Sequence, residues 1–167
     1  RSDEYKVFLW AHESKDEVRI FDFLGFTHQY EMCYTNVLNM LRLSGIPLYA
    51  AERGEEFPLI IGGGPCAYNP EPIADFFDLF NIGEGEEMLV EIVRLYIKMK
   101  AENRYTKADF LHEAARTIPG VYVPSLYDVT YNGDGTIKSY TPIFDDIPAK
   151  VEKRIIQDMD KAEFPRR

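Results

Sequence analysis

The chain has 167 residues, of which 46% are hydrophobic and 14% aromatic, and this composition excludes a wholly disordered polymer. Its 28 acidic and 19 basic residues give a net charge of −9, which argues against a nucleic-acid partner. Residues 150–167 hold six basic and four acidic side chains, so the negative excess lies in residues 1–149. Because no run of about 18 apolar residues occurs, we expect no membrane partner.

The cysteines and histidines are too few and too scattered for a metal centre. Cys33 and Cys66 lie far apart, form no CxxC pair and are predicted to be buried small residues in a reducing, cytoplasmic compartment. Together with His12, His28 and His112 they cannot supply the ligands of a structural zinc site or a four-cysteine cluster. We therefore expect no metal ligand within this chain.

Apolar β-prone segments alternate with helical patterns along the first hundred residues. In chain order we predict a strand at Val18–Thr27, a helix at Thr35–Ser44, a short edge strand at Pro47–Ala51, a strand at Pro58–Ile61, a short helix at Pro72–Phe77, a strand at Leu79–Ile82 and a helix at Glu86–Lys100. This rhythm is typical of a mostly parallel sheet with crossover helices. The predicted fold class is therefore α/β, specifically a partial flavodoxin-like sheet.

The alternation weakens after Asn103. Thr106–Arg116 is predicted to be a helix capped by Thr106, because Asp109 follows three residues later. Val121–Thr141 is predicted to be a β-hairpin that turns at Asn132–Gly135. The charged tail from Pro148 has Val151, Ile155 and Met159 four residues apart, and is predicted to be a helix, an extended linker or a partner-dependent segment.

These patterns divide the chain into three regions. Residues 1–103 form the predicted α/β domain, residues 104–147 a helix and hairpin extension, and residues 148–167 a linker. We expect both ends to have been cut from a longer protein.

The triple glycine Gly62-Gly63-Gly64 follows an apolar strand and should lie at the carboxyl edge of the sheet, where ligands bind in open α/β folds. Thr27 and His28 follow the first strand and are expected at the same edge. Without Cβ atoms, the glycine backbone could approach a large ligand closely. Ordinary turn formation by the glycines, and loop capping by Thr27 and His28, remain the structural alternatives.

Two familiar phosphate-binding motifs are excluded. No Lys-Ser or Lys-Thr follows the triple glycine, so it is not a P-loop. The segment Gly83–Glu87 lacks the third glycine of a dinucleotide fingerprint and carries three carboxylates that would repel a pyrophosphate. We interpret it as a helix start stabilised by acidic residues.

Four segments together resemble a known family: Gln29–Glu56, Pro58–Asp78, Ile82–Glu87 and Ile118–Tyr127. They are similar to the N-terminal region of large bacterial radical-SAM proteins, often described as Fe–S oxidoreductases. In that family a cobalamin-binding-like α/β domain precedes a radical-SAM barrel. The resemblance runs from about Phe21 to the C-terminus, where Asp158–Pro165 is similar to the connector that enters the barrel.

The resemblance assigns cofactor-binding roles to a few positions. Thr27 matches the Ser/Thr after the third strand of cobalamin-binding domains, and Gly62, Gly63 and Gly64 match the glycine pair after the fourth. His28 stands where an apolar residue is expected. The Asp-x-His-x-x-Gly element, whose His ligates cobalt, is absent, and so are the strand and helix that carry it. The Cys-x3-Cys-x2-Cys element that binds the [4Fe–4S] cluster is absent as well.

The resemblance therefore implies an accessory fragment of an enzyme that uses a [4Fe–4S] cluster and S-adenosylmethionine. We expect no catalytic residue and no cofactor of its own here, weak or no cobalamin binding, and the missing barrel as principal partner. The fragment could hold a corrinoid, cap the barrel or present substrate. An interaction module that has lost cofactor binding, able to form a homodimer, is the alternative. That the chain is a separate flavin- or nucleotide-binding domain is a weaker hypothesis, because no nucleotide-binding fingerprint supports it.

Overall fold

The computed structural model of the protein describes residues 8–158 and Asp160. The chain divides into two compact units, Arg1–Leu79 and Phe80–Arg167. A mostly parallel four-stranded sheet has the order β1-β2-β3-β4, formed by β1 (Phe23–Thr27), β2 (Leu59–Gly63), β3 (Leu79–Asn81) and β4 (Val121–Tyr122). A separate antiparallel hairpin pairs β5 (Tyr127–Tyr131) with β6 (Ile137–Pro142). The predicted α/β class is confirmed.

In the first unit, β1 and β2 run parallel and are joined through the helix α1 (Tyr34–Leu43). A parallel pair needs such a crossover, because the chain must return to the starting end of the sheet. Leu41, Leu59 and Ile60 are at most 1% exposed and form the centre of the unit. The predicted helix and the strand after Pro58 are confirmed, and the strand continues to Gly63.

Three predictions in this unit were wrong in detail. The strand expected over Val18–Thr27 begins only at Phe23, because Val18–Ile20 forms a 3-10 turn in which the Ile20 N–H donates to the Glu17 carbonyl. The short helix expected over Pro72–Phe77 is a 3-10 helix over Glu71–Phe76.

The third error is the edge strand expected at Pro47–Ala51. This stretch pairs with no strand, and a 3-10 turn follows at Ala50–Glu52. The carbonyls of Pro47 and Leu48 instead accept hydrogen bonds from the guanidinium of Arg53, at 3.1 and 2.8 Å. A side chain therefore takes the place of a neighbouring strand as the donor.

Arg53 anchors the loops of the first unit to its sheet. Its side chain is completely buried, as is nearly all of Asp78, and its Nη2 donates to an Asp78 carboxylate oxygen at 3.0 Å. The same oxygen accepts the backbone N–H of Ile60 at 2.7 Å, and Nη2 also donates to the Phe76 carbonyl. Burial lowers the pKa of Arg53, and the Asp78 carboxylate partly offsets this. The pair thus ties strand β2 to two loops.

The second unit is built on two amphipathic helices, α2 (Gly85–Ala101) and α3 (Lys107–Thr117). Thr106 caps α3, because its Oγ1 accepts the N–H of Asp109 at 3.1 Å, which confirms the predicted cap. No helix within the described ranges is long and apolar enough to cross a membrane.

The hairpin is shorter than predicted. Val121 and Tyr122 form β4, which pairs antiparallel with β3, and a 3-10 turn beginning at Pro124 separates them from the hairpin. The turn over Asn132–Gly135 is confirmed, since the Asn132 N–H donates to the Thr136 carbonyl at 2.8 Å.

Of the three conformations expected for the tail, the helix does not form over residues 148–158, and this stretch is irregular. It contains a single bridge residue, Arg154, which pairs parallel with Gly83. Two parts of the sequence prediction lie outside the described residues. They are Met159 of the predicted apolar series and most of Asp158–Pro165, the segment that resembles the family's entry to the barrel.

We predict that Arg53→Met lowers the free energy of unfolding by about 3–5 kcal/mol, because it leaves the Asp78 carboxylate buried without its partner. Chemical denaturation measures this loss. The double variant Arg53→Met/Asp78→Asn should lose less, since its amide oxygen still accepts from Ile60 and carries no charge.

Asp75→Asn, in the neighbouring 3-10 helix Glu71–Phe76, is the control, because Asp75 is exposed. It should change stability by no more than about 0.5 kcal/mol. Equal stability of Arg53→Met and the unmodified chain would contradict the anchoring role.

Candidate functional site

The five residues predicted to bind a cofactor lie together at the carboxyl edge of β1 and β2. Thr27 pairs with Gly63 in the parallel register, and Gly62 lies opposite Phe26. The His28 N–H donates to the Gly63 carbonyl at 2.7 Å. The order of the strands thus brings the two loop segments side by side.

The space beside Gly64 is filled by the chain itself. Gly64 has φ +89°, which disfavours any other residue, and a Cβ there would stand 2.9 Å from the His28 carbonyl oxygen and 3.0 Å from Cγ2 of Thr27. Immediately after it, the Cys66 N–H donates to the His28 carbonyl at 3.1 Å. The glycine therefore permits close packing of the turn rather than leaving a cradle open to a ligand.

His28 faces the interior of the first unit. The residue is 0% exposed and its ring makes edge contacts with Tyr34 and Phe77, at centroid distances of 5.5 and 5.0 Å. Neither ring nitrogen has a hydrogen-bond partner within the described part of the chain. Burial lowers the pKa of His28, and the nearby Gly63 carbonyl offsets only part of this effect. The imidazole is therefore held neutral and away from any ligand at the edge.

This edge does not fit a corrinoid. Gly62 is buried, the space beside Gly64 is occupied by backbone, and the His28 ring is buried, so among the five predicted residues Thr27 alone offers an exposed polar side chain. Within the described ranges, no three His, Cys, Asp or Glu side chains are grouped to hold a metal ion. Both cysteines are free and half-buried, and the Cys33 thiol donates to the Tyr30 carbonyl at 2.9 Å.

A second site, which the sequence analysis missed, lies in the second unit. Here the tail runs against the turn before α2: the Arg154 N–H donates to the Ile82 carbonyl at 2.9 Å, and the Glu84 N–H donates to the Arg154 carbonyl at 3.1 Å. On the other side of this turn, the Ile82 N–H donates to the Gly120 carbonyl at 2.8 Å. Three chain segments are thus joined through their backbones.

Only glycine fits at the centre of this contact. Gly83 has φ +121°, and a Cβ on it would lie 2.2 Å from the Arg154 carbonyl oxygen. Gly120 has φ +88°, and its Cβ would meet the Ile82 carbonyl oxygen at 2.9 Å and Cβ of Arg154 at 3.0 Å. Such approaches are too short for real Cβ atoms, and the opposing atoms are mostly backbone, which cannot move aside easily.

The guanidinium of Arg154 adds charge pairing to the backbone contact. It donates to both Glu91 carboxylate oxygens at 2.7 Å and to Glu87 at 3.0 Å. Its side chain is only 16% exposed, and the hydrogen bonds to Glu91 and Glu87 raise its pKa further. Glu84 also accepts the Ile156 N–H. We call Gly83, Glu84, Glu87, Glu91, Gly120 and Arg154 the clasp, and residues 148–158 the connector.

The clasp draws residues from two segments that carried the family resemblance, Ile82–Glu87 and Ile118–Tyr127. Gly83–Glu87 was interpreted as a helix start with favourable acidic residues; those residues do open α2, but Glu84 and Glu87 also hold the connector. The signal available in the sequence was an excess of carboxylates at one helix start and a basic tail elsewhere. The sequence alone could not show that the tail arginine pairs with these carboxylates, because 63 residues separate Arg154 from Glu91.

An open cavity of about 450 Å³ adjoins the clasp. Its lining comes mainly from the connector and includes Glu87, Pro119, Arg154, Ile155, Gln157 and Asp158. The cavity therefore exists only while the connector is held in place.

Together, these contacts give an α/β chain whose tail, as far as Asp158, is bound against the turn before α2. The family described as the N-terminal region of radical SAM proteins matches residues 1–124. The chain belongs to this family. An uncharacterised protein of Methanocaldococcus jannaschii is 30% identical over 93 residues, which are 54% of this chain. The chain spans about a fifth (19%) of that relative's length. No solved structure matches the chain.

We predict that replacing His28 by Phe removes part of the acid sensitivity of folding. The pKa of His28 is lowered in the folded state, so the unfolded chain binds the proton more readily. The contribution of the neutral His28 ring to the free energy of unfolding is complete above the pKa of histidine in the unfolded chain, about 6.5. It is lost as the pH falls below that value. The free energy of unfolding of the unmodified chain should fall relative to His28→Phe by up to about 1.4 kcal/mol per pH unit below that value.

Denaturation at several pH values between about 7 and 5 measures this difference. His12→Gln, at an exposed position, should leave the pH dependence of the unmodified chain unchanged. Parallel stability curves for His28→Phe and the unmodified chain would contradict the prediction.

We also predict that cobalamin does not bind the carboxyl edge. Addition of cobalamin should leave its visible absorption bands unchanged, because the Gly64 space is filled and the His28 ring is buried. A spectral shift with micromolar affinity that is lost in Thr27→Val would show instead that the edge opens to a corrinoid.

Proposed function

We propose that this chain is the non-catalytic accessory region of a radical SAM enzyme, and that it fixes the segment leading to the catalytic barrel. The observation that carries the proposal is the clasp. A connector that is held by two backbone hydrogen bonds of Arg154 to one turn, and by the Arg154 guanidinium between two glutamates, leaves its domain in one direction. A fixed direction would position the accessory region as a cap over the barrel.

Several features support a positioning role over a cofactor-binding one. The family places the chain at the N-terminal side of radical SAM proteins, which use a [4Fe–4S] cluster and S-adenosylmethionine. We propose that the longer protein holds both of those groups and that its barrel is the partner of this chain. The corrinoid role is not favoured, since the predicted edge is packed with its own backbone.

The alternative is a structural module that binds another protein and has no influence on the barrel. The two functions differ in what the clasp does. A positioning module requires the clasp for the reaction of the barrel, whereas an independent interaction module requires only its own folded surface. Variants of the clasp in the longer enzyme therefore distinguish them.

We predict that Gly83→Ala releases the connector. The added Cβ would collide with the Arg154 carbonyl and strain a φ of +121°, so the two backbone hydrogen bonds of Arg154 should break. In the longer enzyme, trypsin should then cleave after Lys150 and Lys153 at least about tenfold faster, because proteolysis follows the opening of the cleaved segment. Reductive cleavage of S-adenosylmethionine coupled to substrate should fall, with the cluster spectrum unchanged.

Gly85→Ala is the matched control. It lies two residues away, its Cβ would meet nothing within 4 Å, and it begins α2. It should leave both proteolysis and reaction unchanged. If Gly83→Ala frees the connector but the barrel reacts normally, the positioning function is wrong and the interaction module is favoured.

A further inference from the structure

Helix α2 has a second apolar face that the fold does not cover. Its buried side consists of Met88, Ile92 and Met99. About a third of a turn away, Leu89 is 46% exposed and Ile97 is 60% exposed, and the half-buried Val93 lies between them at four-residue spacing. A helix that is apolar on two sides is typical of one packed between two partners.

Charged residues of opposite sign stand at the two ends of this stripe. Glu86 lies at its N-terminal end and Lys100 at its C-terminal end, and both are exposed. With 3.6 residues per turn, positions 86, 89, 93, 97 and 100 fall within about 80° of the helix circumference. We call these five residues the α2 stripe.

The α2 stripe is symmetric about Val93. The intervals along it are three, four, four and three residues, so an antiparallel copy places Leu89 opposite Ile97 and Val93 opposite Val93. The same symmetry places Glu86 of one copy beside Lys100 of the other, twice. A two-fold interface requires a surface that complements itself in this way.

The position of Lys100 favours this pairing. Its ammonium lies 4.1 Å from the ring centroid of Tyr105 and 5.2 Å from that of Tyr96, so the rings hold the charge at the end of the stripe. Leu89, Val93 and Ile97 form a ridge of i, i+4 residues. Such ridges interdigitate when two helices cross at roughly −50°.

We propose that α2 binds a second copy of this chain through the α2 stripe, with the helices antiparallel about Val93. The contact is separate from the clasp, because Arg154 pairs with Glu87 and Glu91 on another side of the helix. Three apolar side chains from each copy and two ion pairs per dimer make a small interface, so the association is weak.

Sedimentation of this chain between about 5 and 500 µM, a range suited to small interfaces, should show a monomer–dimer equilibrium. Val93→Glu should raise the dissociation constant by at least about tenfold, because it places two carboxylates together on the axis. Ile137→Glu, at an exposed isoleucine in β6, should leave the constant unchanged.

A charge exchange tests the antiparallel register. Glu86→Lys and Lys100→Glu should each weaken the dimer, because like charges then face each other across the axis. The double variant Glu86→Lys/Lys100→Glu should regain the original constant, since both pairs are restored with reversed sign. Circular dichroism checks that every variant remains folded.

Any of three sedimentation results would overturn the proposal: a monomer at every concentration, a dimer that Val93→Glu does not weaken, or a double charge variant as weak as the single ones. Stronger protection of α2 from hydrogen exchange in a monomeric longer enzyme than in the monomer of this chain would assign the stripe to the barrel instead, which also overturns the proposal. None of these results bears on the clasp, so the proposed function is tested separately.

Discussion

The close approach of the Arg154 backbone to Gly83 is the contact on which the arrangement of the second unit depends. It joins the turn before α2 to the connector, and the same turn is bound on its other side by the Gly120 carbonyl. Because a Cβ at residue 83 would fall 2.2 Å from a carbonyl oxygen, the contact is possible only with glycine there. The pairing of Arg154 with Glu87 and Glu91 then adds to a geometry that the backbone has already fixed.

The two arginine sites of the chain work under different physical conditions. Arg53 is fully buried beside Asp78, so its charge must be matched by a carboxylate and by backbone carbonyls. Arg154 is partly exposed and its glutamates more so, which makes each of its ion pairs weaker and sensitive to salt. The first arrangement suits a permanent structural tie. The second suits a segment that has to be held in one direction without being buried.

Local patterns predicted the regular elements well, because helix periodicity and capping depend on neighbouring residues. The helix after Thr106 and its cap follow from four residues, and the strands after Pro58 and before Ile82 from their apolar runs. The edge strand at residues 47–51 failed because a distant arginine satisfies its carbonyls. The clasp was missed for a similar reason, since Arg154 meets residues more than sixty positions away. Glycines were noted in both loops, but whether their empty space faces a ligand or the chain itself depends on tertiary contacts. The domain limits at residues 103 and 147 stay predictions.

The clasp combines one intolerant position with several redundant ones. Loss of either Glu87 or Glu91 leaves Arg154 with a carboxylate, because the guanidinium is shared between them. At residue 83 there is no such reserve, since every other amino acid adds the same first carbon. Substitutions in this region would therefore be tolerated unequally. Glu87 and Glu91 can be replaced one at a time, whereas Gly83 stays invariant for as long as the tail has to leave the domain along the same path.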